Sequence, residues 1–167
     1  MFQKILVVTL SILFFAFGLC IGYDENEKNM DPKNEEFLSQ AVKFHGHLGP
    51  YMILGLRAGL YANQILEKDP MNTEAIIETL PRPPQSCFVD GVQFATGCTM
   101  GKRNISLKEG EGLKATFKKN NKTLILTLKQ EVIDEINSLP PDEEEAWENL
   151  AKDLYQREIE RIFEISK

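Results

Sequence analysis

Two kinds of hydrophobic pattern divide the chain. Residues 5–23, ILVVTLSILFFAFGLCIGY, form an unbroken uncharged run, whereas every later apolar stretch is interrupted by polar positions at helical or strand spacing. From Glu35 onward, Phe37, Leu38, Ala41, Val42 and His45 recur with the period of a helix that breaks at Gly46, Gly49 and Pro50. Pro50 suits the first turn of a second helix, Tyr51 to about Leu66, where its missing N–H costs nothing. Gly55, Ala58, Gly59 and Ala62 share one side of that helix, and close packing of another backbone is the expected compensation for two interior glycines. With Arg57 inside it, the segment is not expected to be a second membrane span.

Further along, Glu74 to Thr79 is a β-prone run stopped by Pro81-Arg82-Pro83-Pro84, and Phe88 to Thr96 reads as a short helix ended by Gly97. Asn104 to Lys108, Leu113 to Lys118 and Thr123 to Lys129 alternate apolar and polar residues. Their junctions at Gly110-Glu111-Gly112 and Asn120-Asn121 predict an antiparallel meander. A helix over about Glu131 to Asn137 follows. A last helix from about Asp142 to Ile165 is expected, with Asp142 and Glu145 as a capping box and Trp147, Leu150, Ala151, Leu154, Tyr155, Ile159, Ile162 and Phe163 as its apolar stripe. The predicted class is α+β, an antiparallel sheet packed with helices, preceded by an N-terminal hydrophobic helix.

The run 5–23 changes the picture of location. Lys4 precedes it and Asp24, Glu25 and Glu27 follow it, so it is expected to be a signal peptide or a membrane anchor with the C-terminal side extracytoplasmic. Lipid attachment at Cys20 and a buried N-terminal helix are the other options; Leu19, where a small residue is expected, disfavours the former. The predicted organisation is therefore 1–23 signal or anchor, 24–34 polar tether and 35–167 folded domain. Composition then narrows the classes. The 167 residues carry net charge −6; residues 1–23 hold one lysine and no acid, so the remainder carries −7, which argues against nucleic acid as a partner.

The chain has only two histidines and three cysteines, and they are not scattered. His45 and His47 lie in FHGHLGP, where an extended backbone would turn both imidazoles to one side, toward a shared metal ion. The alternative is a structural turn in which one imidazole caps the helix end. Cys87 and Cys98 bracket the short helix and, as thiolates, could complete a mixed His/Cys zinc site. In an oxidising compartment they could instead form a disulfide, although a nine-residue helix between them, roughly 13 Å long, opposes a direct bridge. Asp90 and Gln93 share one face of that helix, and Asp90 could orient an imidazole. Gly97, Gly101 and Lys102 fall short of a phosphate-binding loop in spacing and context. Lys102, Arg103 and Arg57 remain candidates for contact with a small anion.

The segments FHGHLGPYMILGLRAG and CFVDGVQFATGCTMGKRNI, followed by the hairpin from Gly112 to Leu128, resemble the FmdE family, named for a component of formylmethanofuran dehydrogenase, over about Phe37 to Lys129. The resemblance implies an α+β fold with a cleft where the HGH turn meets the cysteine-bearing helix, zinc near these motifs, frequent dimers and an archaeal or anaerobic, methanogenesis-related setting. It carries His45, His47, Cys87 and Cys98 over as metal ligands, and Asp90, Gln93, Thr99 and Lys102 as their surroundings. Gly49 stands where many members have cysteine, and the cysteine-rich zinc ribbon of longer members is absent from this sequence.

The resemblance does not imply carbon dioxide reduction, which in that complex is attributed to other components, and too few cysteines are present here for a four-thiolate cluster. The expected function is a tethered or exported domain that binds a metal ion, with a homodimer and an unknown small ligand as partners. Two alternatives stand beside it. One is a non-metal binding or interaction module; the other is a zinc-dependent hydrolase-like enzyme with Asp90 or Glu78 as base.

Overall fold

A computed structural model describes residues 35–167. The hydrophobic run 5–23 and the tether 24–34, with the expectations attached to them, lie outside the described residues. In chain order the elements are α1 (Glu35–His45), α2 (Pro50–Leu66), β1 (Glu74–Thr79), a single 3-10 turn (Gln85–Cys87) leading into α3 (Phe88–Thr96), β2 (Ile105–Glu109), β3 (Leu113–Lys119), β4 (Lys122–Leu128), α4 (Gln130–Asn137), α5 (Glu144–Gln156), α6 (Ile159–Ile162) and β5 (Phe163–Ser166). The class is α+β, and the described residues form a mixed five-stranded sheet in the order β2-β1-β3-β4-β5.

The expected meander is correct only for β3 and β4, which pair antiparallel from Lys114↔Thr127 to Lys119↔Lys122 across a turn where Asn120 takes a positive φ of 53°. The strand β2 does not pair with β3. Instead β1 lies between them, parallel to β2 and antiparallel to β3. Burial explains the choice: Ala75, Ile77 and Thr79 of β1 are all fully buried, as a central strand requires, whereas in β2 only Ile105 is buried. A parallel pair needs a long crossover, and the segment from Leu80 to Asn104, with α3 inside it, supplies one.

The single last helix is also corrected. Its apolar stripe is buried from Leu150 onward, with Trp147 half-buried, but the backbone leaves the helix at Arg157, whose ψ is 143°. The Arg157 guanidinium forks onto Glu135 at 2.8 and 3.0 Å and also reaches Asp153, while its carbonyl accepts a hydrogen bond from Arg57. The chain then turns so that Phe163–Ser166 pairs with β4, satisfying the backbone of a strand that would otherwise be an open edge. The capping box does not form: α5 starts at Glu144, and its N-cap, Glu143, makes no side-chain hydrogen bond.

The small face of α2 is taken by α3. A β-carbon at Gly55 would collide with the Phe88 carbonyl, one at Gly91 with the Met52 carbonyl, and one at Gly59 would lie 2.6 Å from the Ala95 β-carbon. Asn63 fixes the same crossing by donating to the Ala95 carbonyl at 2.9 Å. This contact sets the distance between the segment before α2 and the start of α3. Replacing Gly91 by Ala must push the helices apart, so we expect a loss of about 2–3 kcal/mol in urea unfolding, the range of overpacked cores. An unchanged midpoint would contradict the contact.

Candidate functional site

The turn between α1 and α2 is made by sequence. Gly46 adopts φ +102°, closed to most side chains, and its N–H bonds back to the Val42 carbonyl at 2.7 Å, ending α1 at His45. Further on, Gly49 forms the extended N-cap of α2 and Pro50 begins that helix. His45 thus closes one helix and His47 sits in the turn. Opposite them, Cys87 immediately precedes α3 and Asp90 lies in its first turn.

His45 and Asp90 meet. With a carboxylate as acceptor, His45 Nδ1–H donates to Asp90 Oδ2 at 2.8 Å, and the imidazole side chain is only 6% exposed. Its other nitrogen, Nε2, is buried and has no hydrogen-bond partner among the described residues. An unpaired buried polar atom is costly, so Nε2 is the atom in this region most in need of a ligand. The His47 ring packs beside it, with centroids 4.5 Å apart and planes inclined at 38°. A β-carbon at Gly49 would lie 3.0 Å from His47 Nε2. In this chain, therefore, the imidazole of His47 crowds the space into which a cysteine at position 49 would begin.

Both histidines and Cys87 line a cleft of about 290 Å³. Tyr51 and Met52 contribute from α2, Pro84 from the loop before α3, and Asp142, Glu144, Trp147 and Glu148 close the far side. Trp147 is fixed by a 2.8 Å hydrogen bond from its indole N–H to the Pro140 carbonyl. Burial, followed by the Asp90 charge, pushes the Cys87 thiol up from its ordinary value. Burial also raises the Tyr51 phenol, against a hydrogen bond with Gln85 that lowers it.

The remaining expected site residues go elsewhere. Cys98 is fully buried and donates to the Thr73 carbonyl at 3.3 Å; it does not line the cleft. Both Cys87 and Cys98 are free thiols, with the whole of α3 between them. Gln93, within α3, and Thr99 and Lys102, in the loop after it, are bonded among themselves and their neighbours. Gln93 accepts from the Met100 N–H, the Thr99 N–H donates to Asn104, and the Lys102 amine binds the Gly97 carbonyl. Arg57 is buried in α2 and does not line the cleft; one of its terminal nitrogens donates to the Arg157 carbonyl, and its Nε has no partner among the described residues. Glu78 pairs with Lys114 on the sheet at 2.9 Å, away from the cleft. Asp90 orients His45 rather than standing free as a base. The far wall was not anticipated: Trp147 read as core because it shares the α5 stripe. The signal for it was the lone tryptophan beside Pro140-Pro141 and the acids Asp142 to Glu145.

Residues 44–165 match the family model FmdE, described as "Molybdenum formylmethanofuran dehydrogenase operon". The chain belongs to the FmdE family. Among curated proteins, an Archaeoglobus fulgidus protein named "Probable S-adenosyl-L-methionine-binding protein" is 38% identical over 92 residues. That match covers 51% of this chain and 24% of the relative, so the shared part spans about a quarter of that longer protein.

As a metal site, the FmdE cleft fits in part. His45 Nε2 and the adjacent His47 are two donors, and Cys87 lines the same cavity. Among the described residues, no three His, Cys, Asp or Glu side chains stand close enough to hold an ion as they are. The two cysteines should differ chemically. In metal-free protein, iodoacetamide is expected to label Cys87 and to leave Cys98 unlabelled until unfolding. Because the Cys87 thiol is raised, its labelling rate should climb at a higher pH than that of a free thiol, and Asp90→Asn should move the profile down. Equal labelling of both cysteines in the folded protein would contradict this placement.

Proposed function

We propose that this FmdE-family domain binds a metal ion, zinc first, in the cleft between the HGH turn and the start of α3. The ligands would be His45 through Nε2, His47 and Cys87, with at least one position left to a small molecule. The observation that carries the reading is the anchored imidazole: Asp90 holds Nδ1 and leaves a buried Nε2 without a partner. A carboxylate behind a ligating histidine fixes its tautomer and raises its basicity, the usual support for such a ligand. When bound, zinc would supply Lewis acidity to whatever shares the cleft. Cys98 is not part of this set, since it is hydrogen-bonded in the core. We further propose that residues 5–23 hold or export the domain across a membrane and that 24–34 act as its tether.

A second reading is that the cleft takes a small organic ligand with no metal. It is favoured by the lack of a third pre-assembled donor among the described residues and by the S-adenosyl-L-methionine in the name of the Archaeoglobus relative.

Zinc titration of the metal-free protein, followed by calorimetry and elemental analysis, separates the two. One equivalent is expected to bind. His45→Ala, His47→Ala and Cys87→Ser should abolish binding or nearly so, Asp90→Asn should weaken it by about 10- to 100-fold, and Cys98→Ser should leave it unchanged. A wild-type protein that binds no zinc, or one whose zinc is lost only in Cys98→Ser, would overturn the metal reading.

A further inference from the structure

The two walls of the cleft differ in charge. One wall carries His45, His47 and Cys87; the other, at and just before the start of α5, carries Asp142, Glu144, Trp147 and Glu148. Among the described residues, no lysine or arginine lines the cavity. Glu148 is shared with Lys152 at 3.3 Å, but Asp142 and Glu144 make no side-chain hydrogen bond or ion pair among the described residues. Trp147 follows these two acids, in the first turn of α5, and lines the same cavity, its indole N–H bonded to the Pro140 carbonyl.

Acids at a helix start have an ordinary use, which is to complement the helix dipole. Here a second observation points to a ligand. The same cavity is lined by His45, whose side chain is more than nine-tenths buried and whose Nε2 has no partner. An aromatic ring and uncompensated carboxylates that line one cavity attract a cation through the ring quadrupole and through the charges together. The apolar parts of the lining, Met52, Leu48 and the prolines, suit the hydrocarbon body of such a molecule rather than a bare ion.

From this we infer that the α5 wall selects an organic cation, a sulfonium compound with a flat or apolar body, and that Trp147, Asp142 and Glu144 are its specificity residues. The inference rests on the cleft being the ligand site of the domain, and it deepens that reading by naming the charge class of the small molecule.

The molecule provides its own reporter, since Trp147 is the single tryptophan of the chain. The probes are S-adenosyl-L-methionine, a sulfonium, and S-adenosyl-L-homocysteine, the thioether that keeps the same ammonium and carboxylate and lacks only the sulfonium charge, titrated against the full chain by tryptophan fluorescence and by calorimetry. We expect the sulfonium to bind at least about tenfold more tightly. That preference should disappear in Asp142→Asn/Glu144→Gln, while zinc affinity stays at the wild-type value and circular dichroism shows the fold intact. Trp147→Ala, followed by calorimetry, should weaken the sulfonium by about tenfold or more. Equal affinity for the two probes, a preference that survives the double substitution, or no binding of either at millimolar concentration would overturn the inference. None of these outcomes touches the metal reading, which stands or falls on the zinc titration of His45, His47 and Cys87 variants.

Discussion

The close approach of α2 to α3 is the constraint from which the rest of the structure follows. Gly55, Gly59 and Gly91 let two helix backbones touch, and no side chain larger than hydrogen fits at Gly55 or Gly91 without moving a backbone carbonyl. The HGH turn leads into α2, and Cys87 and Asp90 lie at the start of α3. A tight helix pair therefore holds residues 45 positions apart in sequence against each other, and the 2.8 Å bond between His45 and Asp90 is the chemical result. Protein interiors transmit such constraints because they are close-packed, so a shift at the glycines is felt at the imidazole.

The cleft is built from two sources with different jobs. The α1–α2 turn and the start of α3 provide the soft and imidazole donors, while α5 provides an aromatic face and acids. The break at Arg157 serves this arrangement. By ending α5 there, the chain can close the sheet edge with β5 and still leave the first turn of α5 over the histidines. Arg157 makes the break stable: its fork onto Glu135 joins the end of α5 to α4, and Arg57, buried in α2, donates to its carbonyl. That bond pairs one end of a charged residue buried in an otherwise apolar helix, while its Nε has no partner among the described residues.

Much of this was legible in the sequence, and the exceptions have physical causes. Local signals were accurate: Pro50 at the helix start, Gly97 in the left-handed conformation at the end of α3, and the small face of α2 awaiting a partner. Asp90 reads in the sequence as a residue that could orient an imidazole or complement the helix dipole, and the structure pairs it with His45. What failed was non-local. The pattern of β2 looks the same whether its neighbour is β3 or β1, because alternation encodes which face is buried but not which strand lies alongside. The stripe from Leu150 to Phe163 is likewise common to one long helix and to a helix that breaks and becomes a strand. Cys98 was assigned to the site because cysteine is scarce, yet a buried thiol bonded to a carbonyl is equally a small core residue. Trp147 does both: it packs half-buried against the core, as periodicity implies, and it also lines the cleft, which periodicity does not reveal.

Everything proposed for the cleft depends on Asp90 fixing His45 with Nδ1 protonated and Nε2 free to receive a ligand. Long-range nitrogen–proton correlation spectra of ¹⁵N-labelled protein report this directly, because the two imidazole nitrogens resonate far apart in their protonated and unprotonated states. In metal-free protein His45 should show the Nδ1–H tautomer with an unprotonated Nε2, and added zinc should shift Nε2 while Nδ1 stays protonated. A His45 protonated at Nε2, or one whose Nε2 signal is indifferent to zinc and to every cationic ligand, would contradict the anchored imidazole.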